Sequence, residues 1–189
     1  MRNITLLTQN IRACLIFILF FISMLTYSQT VNAQQEYFKH ARMQIKKYSP
    51  PRKDFAIVID YRKSILTDRL YVLDLVNDTI LIRSRVAHAW RSGSLYPKKF
   101  SNIKGSRMSS VGNYITEKKI VSPKFGYAML VRGLDAKVNT NAQLREIIFH
   151  SDRKMESKWS WGCFATPEAV NKKIIDLTSN GVLVCVIHK

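Results

Sequence analysis

His150 and Cys163 are the two residues of this chain whose types and spacing suit covalent chemistry. A cysteine attacks as its thiolate, and a neighbouring imidazole lowers the thiol pKa from about 8.5 and takes up the proton. The histidine closes the apolar run Ile147-Ile148-Phe149-His150. The cysteine closes Ser160-Trp161-Gly162-Cys163, thirteen residues further on. Gly162 permits a tight turn just before the sulfur, which can aim backbone N–H groups at a developing oxyanion. Polar Ser151-Asp152 puts the ring near solvent, and a backbone carbonyl at Ser151 would fix its tautomer. The competing reading is a satisfied core histidine and an unreactive thiol, and the two residues alone leave both open.

The elements that must hold this pair read as strands. Phe55–Tyr61 and Arg69–Leu75 are short and rich in β-branched and aromatic residues, and Val76-Asn77-Asp78 is a hairpin turn into 79–86. Stretches 113–116, 127–131, 147–150 and 182–187 repeat that character, while 92–105 is polar and turn-rich. Asn139-Thr140 is expected to cap a short helix over 141–146. Thr166-Pro167-Glu168 marks the start of another, with Val170, Ile174 and Leu177 on one face and Gly181 beyond its end. The expectation is one mainly β domain with short helices, the histidine ending a strand and the cysteine ending a loop.

At the N-terminus, Arg2 and Arg12 precede an almost unbroken apolar stretch over 13–25. It is shorter than the roughly 20 residues that span a bilayer. With Val31-Asn32-Ala33 as a small-residue exit, residues 1–33 read as a signal peptide cleaved after Ala33, the alternative being an uncleaved anchor. A basic helix over 35–48, stopped by Ser49-Pro50-Pro51, and a linker fill 34–53, and 54–189 is the domain. Such a chain is exported to the periplasm or cell envelope, with no stable membrane span after cleavage.

The whole chain carries a net charge of +17, and removal of two arginines and no acids leaves about +15. A charge this strong suits polyanionic surroundings. For an exported protein these are an anionic cell-wall surface, not nucleic acid. Cys163 and Cys185 remain beyond the signal and can join in a disulfide in an oxidising compartment, which would silence Cys163. Neither a CxxC nor a His/Cys cluster with zinc spacing occurs, so no metal site is expected, and acyl transfer at a cysteine and a histidine would need no organic cofactor.

The order of base before nucleophile resembles the L,D-transpeptidase catalytic domain (YkuD-like) family, and more narrowly its murein L,D-transpeptidase subgroup. That pattern is an apolar strand ending in His150, a variable loop over 151–159, then Ser160-Trp161-Gly162-Cys163. Phe55–Asp60, Arg69–Leu75, Val86–Ala89, Ser109–Tyr114 and Gly133–Asp135 with Asn139–Arg145 are similar to further segments of the subgroup, so the resemblance covers about 54–189. It implies a β-sandwich-like domain with the cysteine at the end of a cleft. It also implies Cys163 as nucleophile, His150 as base and later acid, and the Ser151 carbonyl orienting the imidazole. The Gly162 and Cys163 N–H groups would hold the oxyanion, with Ser160, Trp161 and Tyr114 near the substrate. Many members carry arginine two residues after the cysteine, where this chain has Ala165. The cation that meets a substrate carboxylate is therefore left to find, with Arg107, Arg132 and Arg153 as candidates. His88 matches a structural segment and is read as structural.

The implied partner is the peptidoglycan stem peptide. Cys163 would attack the diaminopimelate carbonyl of a tetrapeptide stem and expel D-alanine. The acyl group would then pass to an amine, giving a 3→3 cross-link, or to water, giving a carboxypeptidase. Papain-like enzymes and cell-wall amidases place cysteine before histidine. Sortases need an arginine after the cysteine, and 164–189 contains none. From a different class, a non-catalytic wall-binding or envelope domain with Cys163 tied to Cys185 stays open.

Overall fold

The computed structural model describes residues 2–152 and 159–189; the candidate Arg153 and most of the variable loop lie outside the described residues. The chain divides into two units, Met1–Lys39 and His40–Lys189. Helix α1 runs Arg2–Tyr48, longer than the helix expected from residue 35, and ends where Ser49 turns left-handed (φ 45°) before the two prolines. In the first unit the apolar side chains from Ile16 to Met24 are exposed. No helix among the described residues is long and apolar enough to cross a membrane.

The second unit is mainly β. Its strands are β1 (Phe55–Asp60), β2 (Leu70–Asp74), β3 (Thr79–Ser84), β4 (His88–Ala89), β5 (Gly112–Ser122), β6 (Gly126–Gly133), β7 (Ile148–Asp152), β8 (Trp159–Ser160), β9 (Phe164–Pro167) and β10 (Leu183–Ile187). A single 3-10 turn, Trp90–Ser92, follows β4, and helix α2 spans Glu168–Thr178. One eight-stranded sheet has the order β3-β2-β1-β10-β5-β6-β7-β9, and β4 pairs separately with β8. Within the large sheet β1–β10 and β7–β9 run parallel and the other neighbours antiparallel. Interior strands β2 and β10 are buried along their whole length, β10 apolar throughout and β2 apolar up to its closing Asp74, whereas edge strand β3 mixes exposed and buried positions.

The core forms on one face of this sheet from Ile57, Val72, Tyr114, Val131, Phe149, Phe164 and Val184, closed by Ile174 and Ile175 of α2. Two strands separate β5 from β9, about 14 Å in a flat sheet. Yet Tyr114 and Phe164 meet edge to face with ring centroids 5.3 Å apart. The sheet therefore curls around its core, and this curl carries the start of β9 back over the start of β5.

Three local expectations change. No regular helix forms over 141–146. The Asn139 side chain is buried and donates to the Val111 and Asn113 carbonyls while accepting from Asp135 N–H, and left-handed Lys137 and Glu146 bracket a run of turns. Thr166 does not cap α2; it lies in β9, and its hydroxyl bonds Asn171 Oδ1 at 3.0 Å. Strands β5 and β6 extend into a long hairpin held by antiparallel pairing out to Ser122 and Gly126; residues 117–122 are exposed or half-buried, so burial left no pattern there to mark the strand.

Candidate active site

Strand β7 presents the histidine by simple alternation. Phe149 points into the core and stacks on Phe164 (4.8 Å, 29°), so His150 turns to the opposite face. Its cross-strand partners are both alanines, Ala128 on β6 and Ala165 on β9, which leaves width for an imidazole. Phe125, in the turn joining β5 to β6, lies on the ring at 3.9 Å and 22°. His150 Nδ1 is 2.8 Å from the Ser151 carbonyl. A carbonyl only accepts, so Nδ1 carries the proton and Nε2 presents its lone pair. Burial pushes the His150 pKa below its ordinary value. Lys124 acts in the same direction, while the Ser151 carbonyl and Asp152 oppose.

Cys163 stands immediately before β9. Phe164 faces Phe149 and Ala165 faces His150, so the cysteine enters this parallel ladder two residues ahead of the position opposite the histidine. Its half-buried thiol donates to the Glu146 carbonyl at 3.5 Å, an oxygen turned inward by the left-handed Glu146 (φ 57°). Burial raises the thiol pKa above its ordinary value. The Ile148 backbone, Arg145 and Lys124 pull it down, and Glu146 adds to the rise. Both shifts favour the uncharged forms, thiol and imidazole.

The turn before the sulfur is closed by Ser160. Its Oγ donates to the Cys163 carbonyl at 2.8 Å and accepts from the Gly162 N–H at 3.1 Å. Ser160 therefore braces the turn from inside, and of the two N–H groups expected at an oxyanion that of Gly162 is engaged here. Gly162 has φ 133°, and a Cβ there would lie 2.8 Å from Ile147 Cδ1 and 3.2 Å from Arg145 Nη2, so the turn demands glycine. Trp161 is 63% exposed. Arg107 Cζ and Lys124 Nζ lie 4.6 Å and 5.3 Å from its ring, which gives the rim beside Cys163 an aromatic floor with two cations on it. Tyr114 sits in the core beneath this rim and not on its surface, and burial raises its pKa. Arg132 is paired with Glu117 on the outer arm of the hairpin.

A buried polar relay supports the turn from the other side. Pairing of β4 with β8 sets His88 beside Trp159 and Ala89 beside Ser160. Arg69, wholly buried, donates to the Val86 and Lys63 carbonyls and to His88 Nδ1 at 2.9 Å. His88 Nε2 donates to the Gly93 carbonyl at 3.0 Å. Both ring nitrogens are thus committed to one neutral tautomer, and burial lowers the His88 pKa to about 4. Burial also brings Arg69 down to about 10.

Cys163 and Cys185 are both free thiols, so the disulfide considered from the sequence is not formed. Cys185 lies mid-strand in β10, separated from β9 by three strands, opposite Asn113 and on the face away from Tyr114. Among the described residues no three His, Cys, Asp or Glu side chains gather to hold a metal ion. Sequence reasoning missed Lys124, Phe125 and Arg145. The signal for the first two was Ser122-Pro123 and Gly126, turn punctuation placed just before a strand.

A family model described as L,D-transpeptidase catalytic domain matches residues 28–187. Comparison with curated proteins gave no match. Among solved structures, the helical cell shape determining protein Pgp2 from Campylobacter jejuni is similar at 14% identity and a TM-score of 0.51, covering 74% of this chain and 49% of that one. An L,D-transpeptidase from Mycobacterium smegmatis (12% identity, 70% and 58% covered, TM-score 0.45) and one from Stackebrandtia nassauensis (14%, 72% and 56%, 0.45) are similar as well. This chain spans about half to three fifths of the length of these structures.

Proposed function

Since the chain belongs to the L,D-transpeptidase catalytic domain family, we propose that it works on peptidoglycan stem peptides as a cysteine acyl-transfer enzyme. The observation that carries this reading is the His150 Nδ1–Ser151 carbonyl bond, which leaves Nε2 as the free proton acceptor on the strand paired to β9. The Cys163 thiol gives its proton to Nε2 as sulfur bonds to the diaminopimelate carbonyl carbon of a tetrapeptide stem. The oxyanion is assigned to the Cys163 N–H, joined by that of Gly162 once Ser160 releases it. Collapse breaks the C–N bond, and the imidazolium returns the proton to the departing D-alanine amine, leaving a thioester. An acceptor amine then gives a 3→3 cross-link, and water gives a tripeptide. Trp161 with Arg107 and Lys124 is the place assigned to a substrate carboxylate.

The test incubates the reduced protein with purified disaccharide-tetrapeptide and follows products by mass spectrometry beside Cys163→Ala. Loss of D-alanine with dimer, or with tripeptide alone, supports the reading and separates transfer from hydrolysis. Tetrapeptide bound but unchanged by both proteins rejects catalysis in favour of wall binding. Export through residues 1–33 would bring the domain to this substrate. The N-terminus of the protein recovered from the cell envelope tests that, Gln34 being expected.

A further inference from the structure

Arg145 is half-buried behind the nucleophile's turn, and among the described residues no carboxylate pairs with it. Its guanidinium is held by neutral acceptors: Nη1 donates to the Ser101 carbonyl at 2.6 Å and to Ser110 Oγ, and Nη2 to the Met108 carbonyl. Three points of the 101–110 loop are thereby pinned to one side chain. The same Nη2 lies against Gly162, only 3.2 Å from where a Cβ would stand. The following residue, Glu146, supplies the carbonyl that holds the Cys163 thiol.

Carbonyl dipoles solvate a guanidinium but do not cancel its charge, and a partly desolvated cation without a counter-ion is unfavourable. The anion that suits this place is one the reaction itself creates, first a thiolate and then an oxyanion at the turn. The other charges facing the sulfur are Lys124, which also favours the thiolate, and Glu146, which opposes it. Lys124 is exposed on the β5–β6 turn and is screened by water and salt, whereas Arg145 is fixed and partly shielded.

We propose that Arg145 is a positioning residue that locks the 101–110 loop behind Gly162 and supplies the charge against which Cys163 ionises. It touches no substrate and acts through the turn. The assignment rests on Cys163 being the nucleophile of the reaction above, but its central claim is read without turnover.

The experiment measures iodoacetamide alkylation of Cys163 against pH in the full chain, with adducts located by peptide mass, for wild type, Arg145→Met and Arg145→Lys. The methionine variant is expected to react about tenfold more slowly at neutral pH, as its thiol pKa rises by about one unit. Its kcat should fall while KM holds. Lysine should restore the alkylation profile but only part of kcat, because an ammonium does not span the three acceptors in a fixed fork. Arg145→Gln, neutral yet still a donor, gives the same reading if the methionine variant does not fold. A folded neutral variant with the wild-type alkylation profile overturns the proposal. The expected alkylation shift in a chain that turns over no stem peptide instead overturns the transpeptidase reading and leaves the charge assignment standing.

Discussion

The ring of Phe125 lies on the imidazole of His150, centroids 3.9 Å apart and planes 22° from parallel. The histidine belongs to β7 and the phenylalanine to the turn of the neighbouring hairpin, so the cover over the imidazole is not built by the strand that carries it. Burial is the main reason His150 stays neutral below its ordinary pKa. Phe125→Ala admits water, stabilises imidazolium and raises that pKa. The acid limb of the kcat/KM profile should move to higher pH by up to about one unit, with Phe125→Leu staying near wild type. The measurement is a pH–rate profile between pH 5 and 8.

Arg107 can be relieved of its charge without disturbing its backbone. It adopts a left-handed conformation (φ 54°), which asparagine tolerates well. Arg107→Asn should raise KM for the tetrapeptide about threefold to tenfold with little change in kcat. A substrate amidated at its free carboxylate should lose less. Steady-state kinetics on the two substrates decide it.

Substitution at Gly162 should separate from all others in severity. Gly162→Ala places a Cβ 2.8 Å from Ile147 Cδ1 at φ 133°. Stability should fall by about 1–3 kcal/mol. With the turn displaced, kcat should drop by about 10²-fold or more. Chemical denaturation beside kcat measurements tests both.

The two thiols should differ sharply in reactivity. Alkylation of Cys163 should accelerate as pH rises through and beyond the ordinary thiol range, because burial raises its pKa. Cys185, pushed up to about 12 inside β10, should stay unmodified until the sheet opens. Peptide mapping after native and denatured labelling reads both.

Acid should weaken the fold through His88. The unfolded chain takes up a proton near pH 6.5, while the folded one resists until about 4, so the folded state binds fewer protons in this window. Stability therefore rises with pH across it, and acidification from 6.5 to 4 should cost on the order of 3 kcal/mol from this residue. In His88→Gln an amide accepts from Arg69 and donates to Gly93 without titrating. Its denaturation midpoint should be flatter over the same range.

The strands were legible because β1, β2 and β10 are short runs rich in apolar, β-branched and aromatic residues, and the catalytic candidates because His150 and Cys163 sit on either side of one loop. What escaped was set by tertiary contact. Strands β4 and β8 have two residues each and no periodicity to read. The helix expected over 141–146 gave way because Asn139 spends its amide on the Val111 and Asn113 carbonyls. Lys124, Phe125 and Arg145 meet the site only once the hairpin and the 101–110 loop have folded onto it, and no local pattern encodes that approach. Ala165, which seemed a missing arginine, is the residue whose smallness lets the imidazole stand beside it.

The chain has three tryptophans: Trp90 directly after β4, Trp159 within β8, and Trp161 in the turn before Cys163. All three are substantially exposed around the short β4–β8 ladder. The protein's whole indole emission therefore arises around this ladder and the turn that leads to Cys163. Under the proposed function, an unlabelled stem peptide bound beside Cys163 would change the surroundings of a large share of the fluorophores at once, and stopped-flow fluorescence would time its arrival separately from the chemistry.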